Sequence, residues 1–542
     1  AGIAAAAPAD EEVKVLPGYG TPPSRQWSGF LNASAVEPGT MLHYWFAEAE
    51  SPSAAQLPIV LWLNGGPGST SILGMLQEHG PLLINATGGL MHNPYAWTKQ
   101  ANVLVLESPA GVGYSYCAAM LQGGACNNTD VSTARANRAS VRDFFATKFP
   151  ELRGNEFYIA GESYAGVYVP TLAAELLDHA PEVNFAGLAV GDPCTDNTAQ
   201  HDSMDMIWYA HKYGLLLDAD FKLLWETCRV RQPSFLSRGQ WLREGGRWAS
   251  APPAPSANGA ATPQCVAAQR RFLIASSRAF SQEWPLAFVN DLTLYGPAAV
   301  VGWDQPGSLN YMTAKWMMSA EVRRALHVDS APASSWPGPS DKWSYTSNYA
   351  ACNSAAPEGA PSMVDFYRKI APRLKRTIVF NGDTDPCVSY EGTRTALEQV
   401  GFAALEGHQY RPWFYDHQEA VLSTLREKPD LFGPDLGLSP SGPQMGGHVV
   451  DYEHNLSFVT VHGSGHMVPQ FRPQAAEMLL RRLLSGEPFA PPLPTDAELA
   501  AMTDDAFDSI LDAWTNKSKA AVVPPPAATP AASTATSVDM VV

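Results

Sequence analysis

The stretch GESYAG, residues 161–166, decides the fold class of this chain. It follows the apolar run EFYIA of residues 156–160, typical of a buried strand, and precedes residues 167–179, where apolar side chains recur at helical spacing. A serine between a strand and a helix lies on a sharp turn that presents its hydroxyl, so we predict Ser163 as a nucleophile. The usual pattern is G-x-S-x-G, whereas here Ala165 takes the last place. Because so short a pattern also arises by chance, an ordinary turn serine is the alternative.

Further apolar runs predict strands of the same sheet, and each run leads into a segment rich in Gly, Asn, Asp or Ser. These runs are residues 57–63, 101–107, 185–190, 377–380 and 456–461. Strands that alternate with helical stretches indicate an α/β fold, with a mostly parallel central sheet flanked by helices. Its chemistry is expected at the carboxyl ends of the strands. Residues 27–50 predict a hairpin with its turn at residues 37–39.

The strand and helix alternation breaks at residues 195–345, which predicts an inserted, mainly helical cap. Within it, the Arg-, Pro- and Ala-rich loop 229–263 is expected to be exposed and sensitive to proteases. The remaining boundaries follow from composition and are an N-terminal surface arm (1–27), a core (28–194 and 346–490), a C-terminal helix (491–518) and a disordered tail (519–542).

Composition excludes several classes of partner. The 542 residues include 45% hydrophobic residues and 15 Trp, which suits a large packed interior. The net charge of −17 argues against nucleic acid and anionic membranes as partners, and it is compatible with an acidic lumen or simply a solvated acidic surface. No apolar run approaches the roughly 20 residues of a membrane span, so none is predicted.

Cysteines and glycosylation sequons favour the secretory pathway, with a vacuole, a lysosome or the extracellular space as destination. None of the seven cysteines forms a C-x-x-C pair, which argues against a zinc site. The chain opens on an Ala-rich stretch without Met, so we expect that a signal peptide has been removed. The predicted glycosylation sites are Asn32, Asn85, Asn127, Asn455 and Asn516.

A catalytic triad fits the order of the motifs. An α/β-hydrolase fold carries serine, acid and histidine in that order, each after a different strand. Here Ser163 is followed by Asp383 or Asp385, and then by His466 in a Gly-flanked turn. The pattern does not choose between the two aspartates, of which one would orient the histidine and the other cap a turn. A metal hydrolase is disfavoured because no H-E-x-x-H cluster occurs, and no metal or cofactor is predicted.

Five motifs resemble the serine carboxypeptidase family over roughly residues 14–490. They are NGGPG (64–68), ESPAGVGYSY (107–116), GESYAG (161–166), NGDTD (381–385) and GSGHMVP (463–469). In that family the second acid of G-D-x-D is catalytic, which implies Asp385. The resemblance also implies an oxyanion hole made by the backbone N–H groups of Gly66 and Tyr164.

The resemblance further implies a site for the substrate's terminal carboxylate, formed by Asn64, Gly65, Glu78 and Glu162. Two carboxyl groups can hold a third only when they are protonated and donate hydrogen bonds. Activity is therefore expected to be highest in acid and to weaken as these carboxyls ionise. The alternative for Glu162 is an acid that satisfies a helix N-terminus.

Cysteine pairing is expected to depart from the family. Several members carry a cysteine at the position of Ser69, and its family partner corresponds here to Cys352. The resemblance therefore suggests Cys194 as a replacement partner. The expected disulfides are Cys117–Cys126, Cys194–Cys352 and Cys228–Cys265, with Cys387 as a free thiol near the site.

The leading hypothesis is a carboxypeptidase that removes C-terminal residues of peptides and proteins through an acyl-enzyme. Family members also include acyltransferases, which often have Asp at the position of Glu162. A third hypothesis is a protective or chaperone-like binding partner with incidental catalysis. Homodimers are common in the family, so a homodimer is a further expectation.

Overall fold

The computed structural model describes residues 7–85, 87–231, 262–275, 308–333, 335–337, 342–352, 354–417 and 442–520. Its strands, in chain order, are β1 (Gln26–Asn32), β2 (Met41–Ala47), β3 (Ile59–Leu63), β4 (Leu82–Ile84), β5 (Leu90–His92), β6 (Asn102–Leu106), β7 (Cys126–Thr129), β8 (Phe157–Glu162), β9 (Phe185–Gly191), β10 (Trp343–Thr346), β11 (Arg376–Gly382), β12 (Arg411–His417), β13 (Gly442–Asp451) and β14 (Leu456–Val461). Ten of them form one sheet in the order β1-β2-β6-β3-β8-β9-β11-β14-β13-β12.

The centre of this sheet is parallel and its edges are antiparallel. Strands β6, β3, β8, β9, β11 and β14 pair in parallel. The hairpin of β1 and β2 extends one edge, and β13 and β12 extend the other. The arrangement confirms the predicted α/β class with a mostly parallel central sheet. It also includes β12 and β13, two strands that the sequence did not reveal.

Helices cover the sheet on both faces. The α-helices of the described residues are α1 (Asp130–Asp143), α2 (Ala165–His179), α3 (Met206–Lys212), α4 (Asp218–Lys222), α5 (Pro263–Ala275), α6 (Leu309–Met317), α7 (Ala320–Ala325), α8 (Met363–Ile370), α9 (Tyr390–Glu398), α10 (Val468–Phe471), α11 (Pro473–Ser485), α12 (Asp496–Ala501) and α13 (Asp504–Ala520). None of these helices is long and apolar enough to cross a membrane.

Burial on both faces explains why the central strands read as unbroken apolar runs. Along β3, Leu61 packs in the same core as Val141 of α1 and Leu172 of α2. Its neighbour Trp62 points to the opposite face, in the core that contains Leu479 of α11. Successive side chains of a strand alternate between faces, so one apolar strand supplies both cores.

The N-terminal segment is packed rather than a surface arm. Val13 and Leu16 are buried in the core that also contains Trp45. The segment is held there by the indole N–H of Trp316, which donates to the carbonyl of Pro17 at 3.1 Å. The sequence prediction of a surface location is therefore wrong for this stretch.

Local hydrogen bonds set the boundaries of two helices. Helix α1 begins with a capping box in which Thr129 and Ser132 bond each other's backbone N–H groups, and a wider turn over residues 144–148 follows it. The predicted C-terminal helix (491–518) is divided into α12 and α13. The division occurs because the Thr503 hydroxyl accepts a hydrogen bond from the Ala506 N–H and begins a new helix.

The described part of residues 195–345 contains helices α3 to α7 and the start of β10. Strand β10 lies outside the large sheet and pairs in parallel with β7. Most of the predicted protease-sensitive loop 229–263 and most of the predicted tail 519–542 lie outside the described residues.

Candidate active site

Ser163 lies on a strained turn between β8 and α2. Its φ of 66° is in the left-handed region, which non-glycine residues adopt rarely and at a cost of about 1–3 kcal/mol. The turn is held from β9: Ser163 N–H donates to Gly191 O at 2.9 Å, and Cys194 N–H donates to Ser163 O at 3.0 Å. A Cβ on Gly166 would lie 2.4 Å from Cys194 O, so glycine is required one place later than in the usual pattern. The predicted nucleophile turn is present.

The histidine and its acid form a buried hydrogen-bonded pair. Nδ1 of His466 lies 2.7 Å from Oδ2 of Asp385, and both side chains are buried. The Asp385 carboxylate also accepts the N–H groups of Cys387 at 2.9 Å and Val388 at 3.0 Å. These donors fix the carboxylate, so it can hold the imidazole in one tautomer and one orientation.

Asp383, the other candidate acid, faces a different histidine. Its Oδ2 lies 2.8 Å from Nδ1 of His462, and its Oδ1 accepts the N–H of Gly463 at 2.8 Å. The hydrogen bond to Asp383 raises the pKa of His462, which is largely exposed. The structure therefore brings Asp385, and not Asp383, to His466.

Neighbouring strands bring these residues together at the carboxyl ends of the central strands. Ser163 follows β8, Asp385 follows β11 and His466 follows β14, and these strands lie in the order β8-β9-β11-β14. All three side chains are at most 5% exposed. The carboxyl ends of adjacent parallel strands thus form the site, as expected for this class of sheet.

Gly66 and Tyr164, the residues predicted for the oxyanion hole, lie where two loops touch. Gly66 has a φ of 110°, which turns the NGGPG segment beside the serine. A Cβ on Gly65 would lie 2.2 Å from the amide nitrogen of Tyr164. The contact explains why glycine is needed at this position. It also sets the backbone N–H groups of Gly66 and Tyr164 on adjacent loops next to Ser163.

The side chain of Tyr164 is anchored in a polar cluster that the sequence did not reveal. Its hydroxyl lies 2.9 Å from Asp130 and 2.7 Å from the hydroxyl of Ser347. Tyr345 donates to the same Asp130 oxygen at 2.8 Å. These partners lie on α1 and just after β10, far from Tyr164 in sequence. They hold the residue whose N–H is the predicted oxyanion donor.

Asn64 joins the two glutamates of the predicted carboxylate site. Its Nδ2 donates to Glu78 at 3.0 Å and to Glu162 at 2.9 Å. Its Oδ1 accepts the indole N–H of Trp62 at 2.8 Å and the N–H of Gly74 at 3.1 Å, which fixes the orientation of the amide. All four residues predicted for this site therefore lie together beside Ser163.

Glu162 holds its proton more tightly than an ordinary glutamate. Burial raises its pKa well above the usual value of 4.5, and the negative charge and hydrogen bond of Glu78 raise it further. Two buried carboxyl groups this close cannot both ionise readily. The arrangement can therefore present a carboxylic O–H to an incoming anion.

Residues of the predicted cap contact the loop that carries Asp385. The hydroxyl of Tyr209, on α3, donates to the carbonyl of Thr384 at 2.9 Å, and the hydroxyl of Tyr213 donates to the carbonyl of Asp383. Helix α3 thus packs against the segment between the two aspartates. This contact links the inserted residues to the position of Asp385.

The structure joins cysteines in the three expected pairs. The disulfides are Cys117–Cys126, Cys194–Cys352 and Cys228–Cys265. Cys387 is outside these disulfides and buried, with its backbone N–H on Asp385. Because Cys194 also donates its N–H to Ser163, the second disulfide connects the nucleophile turn to residues before α8.

Most predicted glycosylation sites face solvent. Asn32, Asn127 and Asn455 are exposed, and Asn85 is half-buried. Asn516 lies in α13, and its side chain is outside the described residues. Glycans at the exposed sites would not disturb the core.

Comparison with known proteins agrees with this geometry. A sequence profile of the serine carboxypeptidase family matches residues 17–486. The lysosomal protective protein of Mus musculus is 31% identical over 500 residues, which cover 89% of this chain and 95% of the relative. Serine carboxypeptidase 24 of Arabidopsis thaliana is 31% identical over 488 residues, which cover 88% of this chain and 92% of the relative.

The fold comparison points the same way. A solved prohormone-processing carboxypeptidase from Saccharomyces cerevisiae matches with a TM-score of 0.60 at 18% identity, over 85% of this chain and 91% of that one. At this identity the likeness concerns the fold, which is the α/β-hydrolase fold. The profile match and the two relatives show that the chain belongs to the serine carboxypeptidase family.

Proposed function

We propose that the protein removes C-terminal residues from peptides and proteins at acidic pH through an acyl-enzyme intermediate. The observation that carries this proposal is the hydrogen-bonded cluster of Asn64, Glu78 and Glu162, in which Glu162 is the residue directly before Ser163. A site that binds a free carboxylate beside the nucleophile selects the last peptide bond of a chain.

The proposed reaction begins with attack of the Ser163 hydroxyl on the carbonyl carbon of that bond. His466 takes the hydroxyl proton and returns it to the leaving amino acid, while Asp385 stabilises the imidazolium that forms. The N–H groups of Gly66 and Tyr164 would bind the oxyanion, and each such donor lowers the barrier by about 3 kcal/mol. Water then attacks the acyl-enzyme. His466 takes a proton from this water and returns it to the Ser163 oxygen as the acyl group leaves.

Recognition of the substrate carboxylate would depend on pH. Asn64 donates an amide N–H, and protonated Glu162 donates an O–H shared with Glu78. When Glu162 ionises, its negative charge faces the negative charge of the substrate carboxylate, and the substrate binds more weakly. The raised pKa of Glu162 supports activity in acid and loss of activity as pH rises.

The proposed location is an acidic compartment of the secretory pathway, such as a lysosome or vacuole, or the extracellular space. Three disulfides and exposed sequon asparagines support this location, as does a relative whose name is lysosomal. Glycosylation of Asn32, Asn127 and Asn455 is part of this proposal. Expression in a secreting host, followed by glycosidase treatment and mass measurement, tests it.

The activity is tested with an N-blocked dipeptide at about pH 5, scored for release of the terminal amino acid. We expect release from the free acid and little from the C-terminally amidated peptide. Ser163→Ala is expected to lower kcat by about a millionfold. Equal release from acid and amide would argue against the carboxylate site, and release by Ser163→Ala would exclude the nucleophile.

The same acyl-enzyme could pass its acyl group to an alcohol rather than to water. Supplying a donor ester and an alcohol acceptor in the assay separates the two outcomes. Transfer to the alcohol without any release from the dipeptide would favour an acyltransferase over a peptidase.

A further inference from the structure

A fourth acidic residue, which the proposed mechanism does not use, lies beside the catalytic pair. Strand β9 separates β8, which leads to Ser163, from β11, which leads to Asp385. The first residue after β9 is Asp192, whose side chain is fully buried. A carboxyl oxygen of Asp192, a carboxyl oxygen of Asp385 and a ring nitrogen of His466 all lie within 4.8 Å of one another.

The backbone and one oxygen of Asp192 are held in place. Its N–H donates to Phe380 O at 2.8 Å, and its φ of 44° is in the left-handed region, where aspartate is tolerated better than most residues. Oδ1 accepts the N–H of Gly382 at 2.9 Å and the amide of Asn381 at 3.2 Å. Both donors belong to the strand that leads to Asp385.

The other oxygen is not satisfied in this way. Within the described residues, no N–H or O–H group donates to Oδ2 of Asp192, although the atom is buried. A buried carboxylate oxygen without a donor is costly, whereas a protonated oxygen can itself donate to a neighbouring acceptor. The neighbouring acceptor is the carboxylate of Asp385.

The surrounding charges decide which acid keeps the proton. The titratable groups that face Asp192 are Glu162 after β8, Asp385 after β11 and His466 after β14. Asp385 already accepts two backbone N–H groups and faces the imidazole, whereas Oδ2 of Asp192 has no donor among the described residues. Burial raises the pKa of Asp192 well above its usual range, and the charges of Asp385 and Glu162 add to that effect.

We propose that Asp192 is a positioning residue that stays protonated and donates its O–H to Asp385. Asp385 then receives donors from the imidazole of His466, from the loop that follows it and from the neighbouring strand. The carboxylate is held on both sides, which keeps it aimed at Nδ1 of His466 throughout the reaction. The inference rests on the proposed roles of Asp385 and His466.

The test compares Asp192→Asn with Asp192→Ala. Asparagine keeps the shape, carries no charge and offers an N–H donor to Asp385 while its oxygen accepts from Gly382. Alanine removes the donor. We expect Asp192→Ala to lower kcat by about 10- to 100-fold with little change in KM, the loss expected for one hydrogen bond to a charged group. Asp192→Asn is expected to restore most of kcat.

The pH profile separates this role from a purely structural one. The acid limb of kcat/KM reports protonation of the histidine base. If Asp192 is neutral, Asp192→Asn removes no charge and leaves this limb in place. If Asp192 were an anion, the same substitution would move the acid limb to lower pH and overturn the proposal. Wild-type kcat in folded Asp192→Ala would overturn it as well.

A readout independent of activity covers the case in which Asp192→Ala does not fold. The infrared difference spectrum between wild type and Asp192→Asn at neutral pH should contain the carbonyl stretch of one protonated carboxyl group. A difference spectrum that contains only carboxylate bands would refute the proposal. Because this spectrum needs no substrate, it tests the protonation of Asp192 whether or not the protein is a peptidase. The proposed peptidase mechanism fails separately, if Asp385→Asn or Ser163→Ala releases the terminal amino acid as fast as the wild type.

Discussion

Replacing Glu162 by glutamine tests the carboxylate site by changing how activity depends on pH. In the wild type, the proton on Glu162 is retained in acid and lost as pH rises through its raised pKa. A bound substrate carboxylate would accept a short hydrogen bond from this group, with the charge centres about 4 Å apart. After ionisation, two like charges at that distance repel by about 4 kcal/mol at an effective dielectric constant of 20.

That repulsion corresponds to a rise in KM of up to about a thousandfold. The side chain of Glu162→Gln remains neutral and keeps an N–H donor at every pH. At about pH 5 we expect its kcat/KM to be lower than wild type by about tenfold, since a neutral donor replaces the acid. Its alkaline limb should then extend to higher pH, and the change should appear mainly in KM.

The assay is kcat/KM for an N-blocked dipeptide from about pH 4 to pH 9. Glu182→Gln is the matched control, because Glu182 is exposed and lies just before β9, at the end of that strand opposite to the site. It should leave the profile unchanged. An alkaline limb in Glu162→Gln identical to that of the wild type would refute the role of Glu162 in binding the substrate carboxylate.

Three other substitutions and one change of pH give distinct outcomes. Asp385→Asn should lower kcat by about ten-thousandfold by favouring the wrong histidine tautomer, whereas Asp383→Asn should keep kcat within about tenfold of wild type. Gly65→Ala should lower kcat more than about a hundredfold, since its Cβ would press on the Tyr164 amide at 2.2 Å. Thermal unfolding should occur at higher temperature at about pH 5 than at about pH 8. The native state keeps the Glu162 proton above the ordinary pKa of 4.5, so stability falls as pH rises from there. Glu162→Gln should reduce this pH dependence, and calorimetry measures it.

The centre of the fold was predictable because its strands are buried on both faces. Residues 456–461 were predicted as a strand, and β14 is Leu456–Val461. The Gly- and Asp-rich segments after such runs marked the carboxyl ends where the site lies. The local sequence was therefore enough to predict a strand wherever its apolar pattern matched the burial of that strand in the structure.

Elements at the edge of the sheet were not predictable in the same way. Strand β13 contains three glycines and a proline, so it does not read as a strand. Strand β12 begins with Arg and Pro and contains a bulge after Trp413. Their extended form depends on tertiary contacts, because β13 pairs with β14 and β12 pairs with β13. Burial of Val13 and Leu16 in the N-terminal segment likewise depends on distant residues.

The roles of several site residues could not be predicted from the local sequence either. Asp130 accepts hydrogen bonds from Tyr164, 34 residues away, and from Tyr345, 215 residues away, and its sequence context resembles an ordinary helix start. Asp192 was visible only as a turn residue after a strand. Its proximity to Asp385 follows from the strand order, in which β9 lies next to β11. Topology, rather than any motif, brings these acids together.

The central claim is that distant loops converge to activate one serine, and covalent labelling tests it most directly. A fluorophosphonate should label a single serine, and peptide mass spectrometry should place the label on Ser163, with loss of amino-acid release in proportion to labelling. His466→Ala should block the labelling. A label on another serine, or full release by the labelled protein, would contradict the account.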